Sequence, residues 1–390
     1  MNPTVNDDLA KYTVNWNYPT AVKVGVGRIV ELPKWCASLG MNRPLLVTDP
    51  GLADMDIVRD AAASSGAAVF SKIKGNPTGR NVEEGVAAYR AGGHDGVIAF
   101  GGGSALDAGK AIALMVGQDR PLWDFEDVGD NFQRVKVEGM VPVVAVPTTA
   151  GTGSEVGRAS VITDDDAKIK RIIFHPRMLP AVVILDPALT VGLPPRLTAA
   201  TGMDALSHNL EAYCSPFFHP MAAGIALEGM RIVKDWLPRA VAQGDDLAAR
   251  AEMLVASSMG ATAFQRGLGA MHALAHPLGA HHDAHHGTLN AVLMPYVLQA
   301  NRKAIEPRIV AAARYLNLPG PSFTSFLDWI LALREHIGIP HTLSAIGIDA
   351  SDDGTIGELA VADGSHATNP IAFTAVQYGE IFRRAVEGQL

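Results

Sequence analysis

Between Pro44 and Thr149, short apolar runs alternate with helix-length segments, and this alternation constrains the fold more than any other feature of the chain. Pro44–Thr48, Ala67–Ile73, Gly96–Phe100 and Val141–Val146 read as strands, with helices at Ala53–Ser64, Val82–Ala91 and Ala105–Val116 between them. Strands joined through helices pair in parallel, so a parallel sheet with helices on its faces is expected. Further strand-like runs follow at Ala159–Thr163, Arg171–Phe174 and Ala181–Leu185, the last closing on Asp186-Pro187, where proline restricts continuation. Ala21–Val26 is a short early run that fits an extra strand or hairpin. From about Thr190 the texture changes, and Ala, Leu and Met recur at helical spacing in Ala222–Trp236, Ala248–Phe264 and Phe323–Ile337. The break falls near residues 188–195, among Pro187, Gly192, Pro194 and Pro195.

At 390 residues the chain exceeds the about 250–300 residues over which one hydrophobic core usually extends. Two domains are expected: an α/β domain over residues 1–190 and an all-α domain over 191–390. Apolar residues make up 48% and charged residues 18%, enough to fill two cores. The net charge of -8 comes with no long basic run, which argues against a nucleic-acid footprint or a polybasic membrane patch. Only Cys36 and Cys214 are present, Met1–Tyr18 is polar, and no stretch reaches the ~18 consecutive apolar residues of a membrane span. The expectation is a cytoplasmic protein that handles a small molecule.

The run Gly96–Phe100 leads into Gly101-Gly102-Gly103-Ser104 and then a helix-compatible segment. Three glycines let backbone approach a ligand, and the N–H groups opening the next helix favour an anion such as a pyrophosphate. A tight strand-to-helix turn would look the same, and the turn lacks the Gly-x-Gly-x-x-Gly fingerprint. A second loop, Pro147-Thr148-Thr149-Ala150-Gly151-Thr152-Gly153-Ser154-Glu155, follows Val141–Val146. Two small, hydroxyl-rich loops at strand carboxyl ends point to a dinucleotide and a Rossmann-like sheet. Asp49, after the first run, could bind an adenosine ribose and repel a 2′-phosphate, favouring NAD over NADP; it could equally be a turn residue before Pro50.

Six of the thirteen histidines fall between residues 272 and 286: His272, His276, His281, His282, His285 and His286. Upstream, Asp204 and His208 lie four residues apart, on one face of an expected helix, and His272 and His276 repeat that spacing. Pro277 is expected to end or kink the second helix. One carboxylate with three imidazoles suits Fe(II) or Zn(II), with a position left for a substrate oxygen, whereas calcium and magnesium prefer more oxygens. Spacing alone does not choose among the histidines.

Gly101–Asp107, Pro147–Glu155, Gly202–His208 and the stretch His272–Asn290 occur in the order found in the iron-containing (group III) alcohol dehydrogenase family, which the chain resembles over nearly its whole length. The resemblance implies a metal-dependent oxidoreductase passing a hydride between NAD(H) and a small alcohol or aldehyde. It implies Asp204, His208, His272 and His286 as ligands of Fe(II), or alternatively Zn(II), with His276 beside the nicotinamide and the substrate. It implies cofactor contacts from Asp49, Gly102, Gly103, Ser104, Thr148, Thr149, Thr152, Lys170 and Leu189, with Lys168 competing for the Lys170 role, and a homodimer or larger homo-oligomer. His281, His282 and His285 depart from the family pattern.

Three other readings compete. A glycerol dehydrogenase or maleylacetate reductase would be a close variant, the second disfavoured by the Asp204/His208 pair. A dehydroquinate synthase-like NAD-dependent lyase would need a more cationic pocket for a phosphorylated substrate. A non-catalytic metal-binding protein would leave the glycine turn unexplained.

Overall fold

The computed structural model describes residues 14–16 and 20–390, so most of the polar stretch Met1–Tyr18 lies outside the described residues. Two compact units are present. One runs to Thr149 and resumes over Gly153–Gly192; the other takes Ala150–Thr152 and Leu193–Leu390.

The first unit carries strands β1 (Val14–Trp16), β2 (Ala21–Val24), β3 (Leu45–Val47), β4 (Ala68–Phe70), β5 (Val97–Gly101), β6 (Val143–Pro147), β7 (Ala159–Asp164), β8 (Ile169–Phe174) and β9 (Val182–Leu185). Its helices are α1 (Leu32–Ser38), α2 (Pro50–Ala53), α3 (Asp56–Ser65), α4 (Gly79–Gly92) and α5 (Gly103–Met115). Seven strands form one sheet in the order β1-β2-β9-β6-β5-β3-β4. Every neighbouring pair is parallel except β1 with β2. The strands β5, β6 and β9 are buried at every residue, which is why they appear in the sequence as unbroken apolar runs rather than alternating ones. β4 sits at the sheet edge with Ala68 and Val69 exposed, and it is shorter than the Ala67–Ile73 run.

Chain direction across the sheet reverses at β3, which pairs with β4 on one side and β5 on the other. Such a switch point opens a crevice at the strand carboxyl ends. Asp49 and Gly101, at the ends of these two strands, flank it. Gly101 has φ 144, and a Cβ there would stand 2.8 Å from the Ala105 Cβ and 3.5 Å from Asp49 Oδ2. The turn therefore requires glycine for both conformation and space.

The runs at 159–164 and 169–174 do not join this sheet. They pair with each other as an antiparallel hairpin, because the short connection around Lys168, itself at φ 56, cannot make a parallel crossover. The hairpin is tied to α5 by polar contacts. Lys110, 1% exposed, donates from Nζ to the carbonyls of Ser154 (2.9 Å) and Ala159 and faces Asp107 Oδ1 at 3.2 Å. Asp107 in turn accepts from Ser154 Oγ at 2.6 Å and from the Val161 N–H at 3.0 Å.

The second unit is helical: α6 (Pro195–Cys214), α7 (Pro220–Ala242), α8 (Leu247–Ala263), α9 (Ala270–His282), α10 (His286–Tyr315), α11 (Phe323–His336), α12 (Asp353–Ala362) and α13 (Ala375–Glu387). α6 packs against α7, α8 and α10 and is buried along almost its full length, consistent with apolar residues on most of its surface. Met203, Leu206 and Leu210 of α6 join Met230, Leu237, Met253, Leu274 and Leu293 in one apolar core. Of the two expectations for Pro277, that it ends or kinks its helix, the first is corrected: α9 continues through Pro277 to His282. Losing one N–H costs a single backbone bond, and the flanking residues Ala273 to Leu278 are buried against neighbours that hold the helix together. No helix among the described residues is long and apolar enough to cross a membrane.

Replacing Lys110 by methionine keeps the volume but leaves two carbonyls without their donor. We expect a loss of about 2–4 kcal/mol in denaturant unfolding, with Lys110→Arg recovering part of it.

Candidate metal centre

Helix α6 carries a polar stripe through an apolar interior: Asp204, His208 and Glu211 at i, i+4 and i+7 lie on one face. All three are buried, so each needs a partner. Asp204 and His208 meet His272 of α9 and His286 of α10, and one donor atom from each of the four lies within 4.8 Å of all the others. The rings of His208 and His272 stack at 4.7 Å, and His286 Nε2 stands 3.6 Å from Asp204 Oδ1.

The outer nitrogens of two rings are already engaged. His208 Nδ1 bonds the Gly151 carbonyl at 3.2 Å, and His272 Nδ1 bonds Glu211 Oε2 at 2.7 Å. With Nδ1 donating in each case, Nε2 keeps its lone pair for another partner. Glu211 is held by the backbone N–H groups of Gly269 (2.9 Å) and Met271 (2.7 Å), which fixes it across the start of α9. Burial pushes His208 down to about 4, so the ring is neutral near pH 7 and free of the proton that would compete with a cation. Burial also acts downward on His272, but the hydrogen bond and charge of Glu211 outweigh it and leave this ring raised. The donor set of one carboxylate and three imidazoles fits a divalent transition ion.

Close approach of α10 to α6 depends on Gly287. A Cβ at this position would lie 2.4 Å from the Ala200 carbonyl oxygen and 3.2 Å from the Asp204 Cβ. Only a residue without a side chain lets His286 reach the stripe.

His276 lies outside the group of four. Its ring stacks on His286 at 5.5 Å with an 11° interplanar angle, and Nδ1 bonds Asp363 Oδ2 at 2.8 Å. Burial acts upward on Asp363, but His276 and Ser365 together hold its carboxyl down at about 2. His281, His282 and His285 are exposed, and His285 caps α10 by accepting from the Thr288 N–H. Glu211, Asp363 and Asn290 are polar residues of this centre that the motif reading passed over. Glu211 and Asn290 had a local signal, lying three residues beyond His208 and four beyond His286; Asp363 is 87 residues from His276 and had none.

The expected cofactor residues divide between the units. Asp49 caps α2, its Oδ1 accepting from Gly51 and Leu52, so the turn role is real and Oδ2 is what remains for a ligand. Gly102 precedes α5 without a side-chain cap, and a Cβ on it would touch Thr149 at 3.4 Å; Gly103 opens the helix. The Ser104 hydroxyl donates to the Gly75 carbonyl. Thr148 and Leu189 are buried, Leu189 in the apolar core of the first unit. Lys170, on β8, donates to Asn76 Oδ1 at 3.0 Å, whereas Lys168 is exposed in the hairpin turn. Thr152 belongs to the short segment Ala150–Thr152 of the second unit.

A glycine-lined turn at a sheet switch point together with a buried Asp/His₃ cluster on helices defines a class, the nicotinamide enzymes that also use a metal. The model of the iron-containing alcohol dehydrogenases matches residues 19–187, and that of the C-terminal part of the same family matches 198–386. The chain belongs to the iron-containing alcohol dehydrogenase family. It is 37% identical over 382 residues to 4-hydroxybutyrate dehydrogenase of Cupriavidus necator, covering 95% of this chain and 99% of that one. To 1,3-propanediol dehydrogenase of Klebsiella pneumoniae it is 36% identical, covering 95% and 97%. Among solved structures it is similar to a 1,3-propanediol oxidoreductase with TM-score 0.87 and 36% identity, over 93% of this chain and 96% of that one.

Gly287→Val should displace the start of α10 and weaken divalent-ion binding ~10–100-fold, with Gly287→Ala milder in the same direction. Chelator competition on the purified protein measures both.

Proposed function

We propose that this chain is an NAD(H)-dependent alcohol dehydrogenase whose metal ion is held by Asp204, His208, His272 and His286. The observation that carries the reading is the convergence of these four donors, drawn from three helices, within 4.8 Å. Fe(II) is the ion we propose, with Zn(II) the alternative, since both accept this ligand set. When bound, such an ion supplies Lewis-acid polarisation of an alcohol or aldehyde oxygen. NAD supplies the hydride acceptor.

The protein's own residues do the rest. Glu211 and the Gly151 carbonyl set the tautomers of His272 and His208, so that Nε2 faces inward in both. Asp363 holds His276 by Nδ1, leaving Nε2 to exchange the proton lost by an alcohol or gained by an aldehyde. His286, with its side chain 23% exposed, marks the side from which a substrate would enter. Gly102, Gly103 and Ser104 would cradle the pyrophosphate at the start of α5, and Asp49 Oδ2 would take the adenosine ribose. Thr148, Thr149, Thr152, Lys170 and Leu189 would complete the cofactor contacts, Lys170 at the nicotinamide ribose.

The relatives are named for a hydroxy acid and a diol, and another, 34% identical over 384 residues, is the NAD-dependent methanol dehydrogenase of Bacillus methanolicus. A terminal carbinol is common to all three, so a small primary alcohol, or its aldehyde, is the substrate class we assign. Family-model matches across both halves favour an alcohol dehydrogenase over a lyase. Both cysteines are buried and unpaired, which suits a reducing cytoplasm, and a homodimer is carried over from the family likeness.

Protein loaded with iron or zinc should reduce NAD with short primary alcohols, followed by NADH absorbance. Asp204→Ala should lose metal and activity together, and unchanged metal stoichiometry would remove Asp204 from the ligand set. His276→Ala should keep its metal and lose about 10²–10⁴-fold in rate; loss of the ion instead would overturn the division of roles.

A further inference from the structure

We infer that Asn369, locked by Asn301, is a positioning residue for His272: it fixes the first turn of α9 and, through that turn, the Glu211–His272 pair. What this does for an ion rests on the metal-centre reading above. Helix α9 opens on Gly269, which has no side chain to cap it. The N–H groups of its first turn are buried, so acceptors must come from distant parts of the chain. Glu211 of α6 accepts from Gly269 and Met271. The N–H between them, that of Ala270, donates to Asn369 Oδ1 at 3.0 Å. The two acceptors close over one residue: a Cβ on Gly269 would stand 2.8 Å from Asn369 Oδ1 and 3.0 Å from Glu211 Oε1.

Asn369 can cap α9 because its amide has a single orientation. Its Nδ2 donates to Asn301 Oδ1 at 2.9 Å and to the Ile371 carbonyl at 2.8 Å, and its Oδ1 accepts from Asn301 Nδ2 at 3.0 Å. With Ala270, every donor and acceptor of the amide is used. A turned amide would set its hydrogens against the Ala270 N–H and its oxygen against the Ile371 carbonyl. Two buried amides paired with each other can be replaced by apolar side chains of the same shape at small cost. What an apolar pair could not give is the acceptor for Ala270.

The placement of these bonds links the start of α9 to the centre. Glu211 Oε2 accepts from the Gly269 N–H and bonds His272 Nδ1, so a first turn free to shift would draw the carboxylate with it and re-aim the ring. Asn369 also closes the short 3₁₀ turn Gly364–Thr368. Thr368 Oγ1 donates to the Leu268 carbonyl at 2.7 Å, and Asp363, at the other end of that turn, bonds His276. One segment is therefore tied to α9 before its first turn, within it and again at His276. Asn301 fastens the same segment to α10, the helix that carries His286.

The competing role for the amide pair is a bolt that only holds the segment after α12 against α10. Its loss would lower the melting temperature and leave the ion affinity of the folded protein alone. Chelator competition with Zn(II) on the full-length protein, at a temperature where circular dichroism shows the variants folded, separates the two roles. Asn369→Ala should bind roughly 10-fold more weakly than wild type. Asn301→Ala keeps the Asn369 oxygen but frees the amide to turn, and should fall between them; it decides the matter where Asn369→Ala does not fold. Wild-type affinity in either folded variant, whatever its melting temperature, overturns the assignment. Amide hydrogen exchange on the metal-free protein gives a readout independent of the ion. The Ala270 and Met271 N–H groups should exchange about 10-fold faster in Asn369→Ala than in wild type, and unchanged exchange sinks the clamp. If Zn(II) affinity proved indifferent to Asp204→Ala, the metal-centre reading itself would fall, and the exchange rates would still decide what Asn369 does for α9.

Discussion

The second unit is organised around a polar stripe that helix α6 cannot expose. Asp204, His208 and Glu211 lie on a helix enclosed by α7, α8 and α10, so water is not available to satisfy them. An isolated buried carboxylate is costly, and leaving two together is worse. The fold answers by bringing other chemistry to the same face. The start of α9 gives backbone N–H groups to Glu211, and α9 and α10 give imidazoles to Asp204 and Glu211. A cation shared by Asp204 and the rings would complete that compensation, which is why the metal reading also accounts for how the helices pack.

The first unit solves a different problem. A parallel sheet buries its strands on both faces, and any ligand must be met at the strand ends, where backbone donors remain. Gly101 lets the chain turn tightly at the end of β5, and the Lys110–Asp107–Ser154 contacts fix the segment after β6 to the same helix. The loop following β6 serves both units. Thr148 and Thr149 belong to the sheet unit, and Gly151, two residues on, gives the carbonyl that holds His208. One short glycine- and threonine-rich loop thus carries a candidate cofactor contact and the outer partner of a candidate metal ligand.

Much of this was legible in the residues because it rests on local rules. Buried parallel strands show as apolar runs, crossover helices show by their period, and Asp204/His208 share a face through i, i+4 spacing. Where local rules had no purchase, the reading erred or stopped. Pro277 does not end α9, since tertiary burial outweighs one missing N–H. The runs at β7 and β8 form their own hairpin because loop length, not strand propensity, decides pairing. The crowded histidines could not be sorted by spacing, since solvent exposure separates His281, His282 and His285 from His272 and His286.

What the chain determined by itself was therefore the kinds of element, the glycine turn and the supply of carboxylate and imidazole groups, each a matter of neighbours within a few residues. What only the folded molecule decided was selection: which nitrogen of each ring faces inward, that Glu211 and Asp363 orient His272 and His276, and that Asn290 ends among the donor atoms. These pairings join positions up to 87 residues apart. No periodicity reaches that far, because the packing of whole helices, rather than the spacing along any one of them, sets which side chains meet.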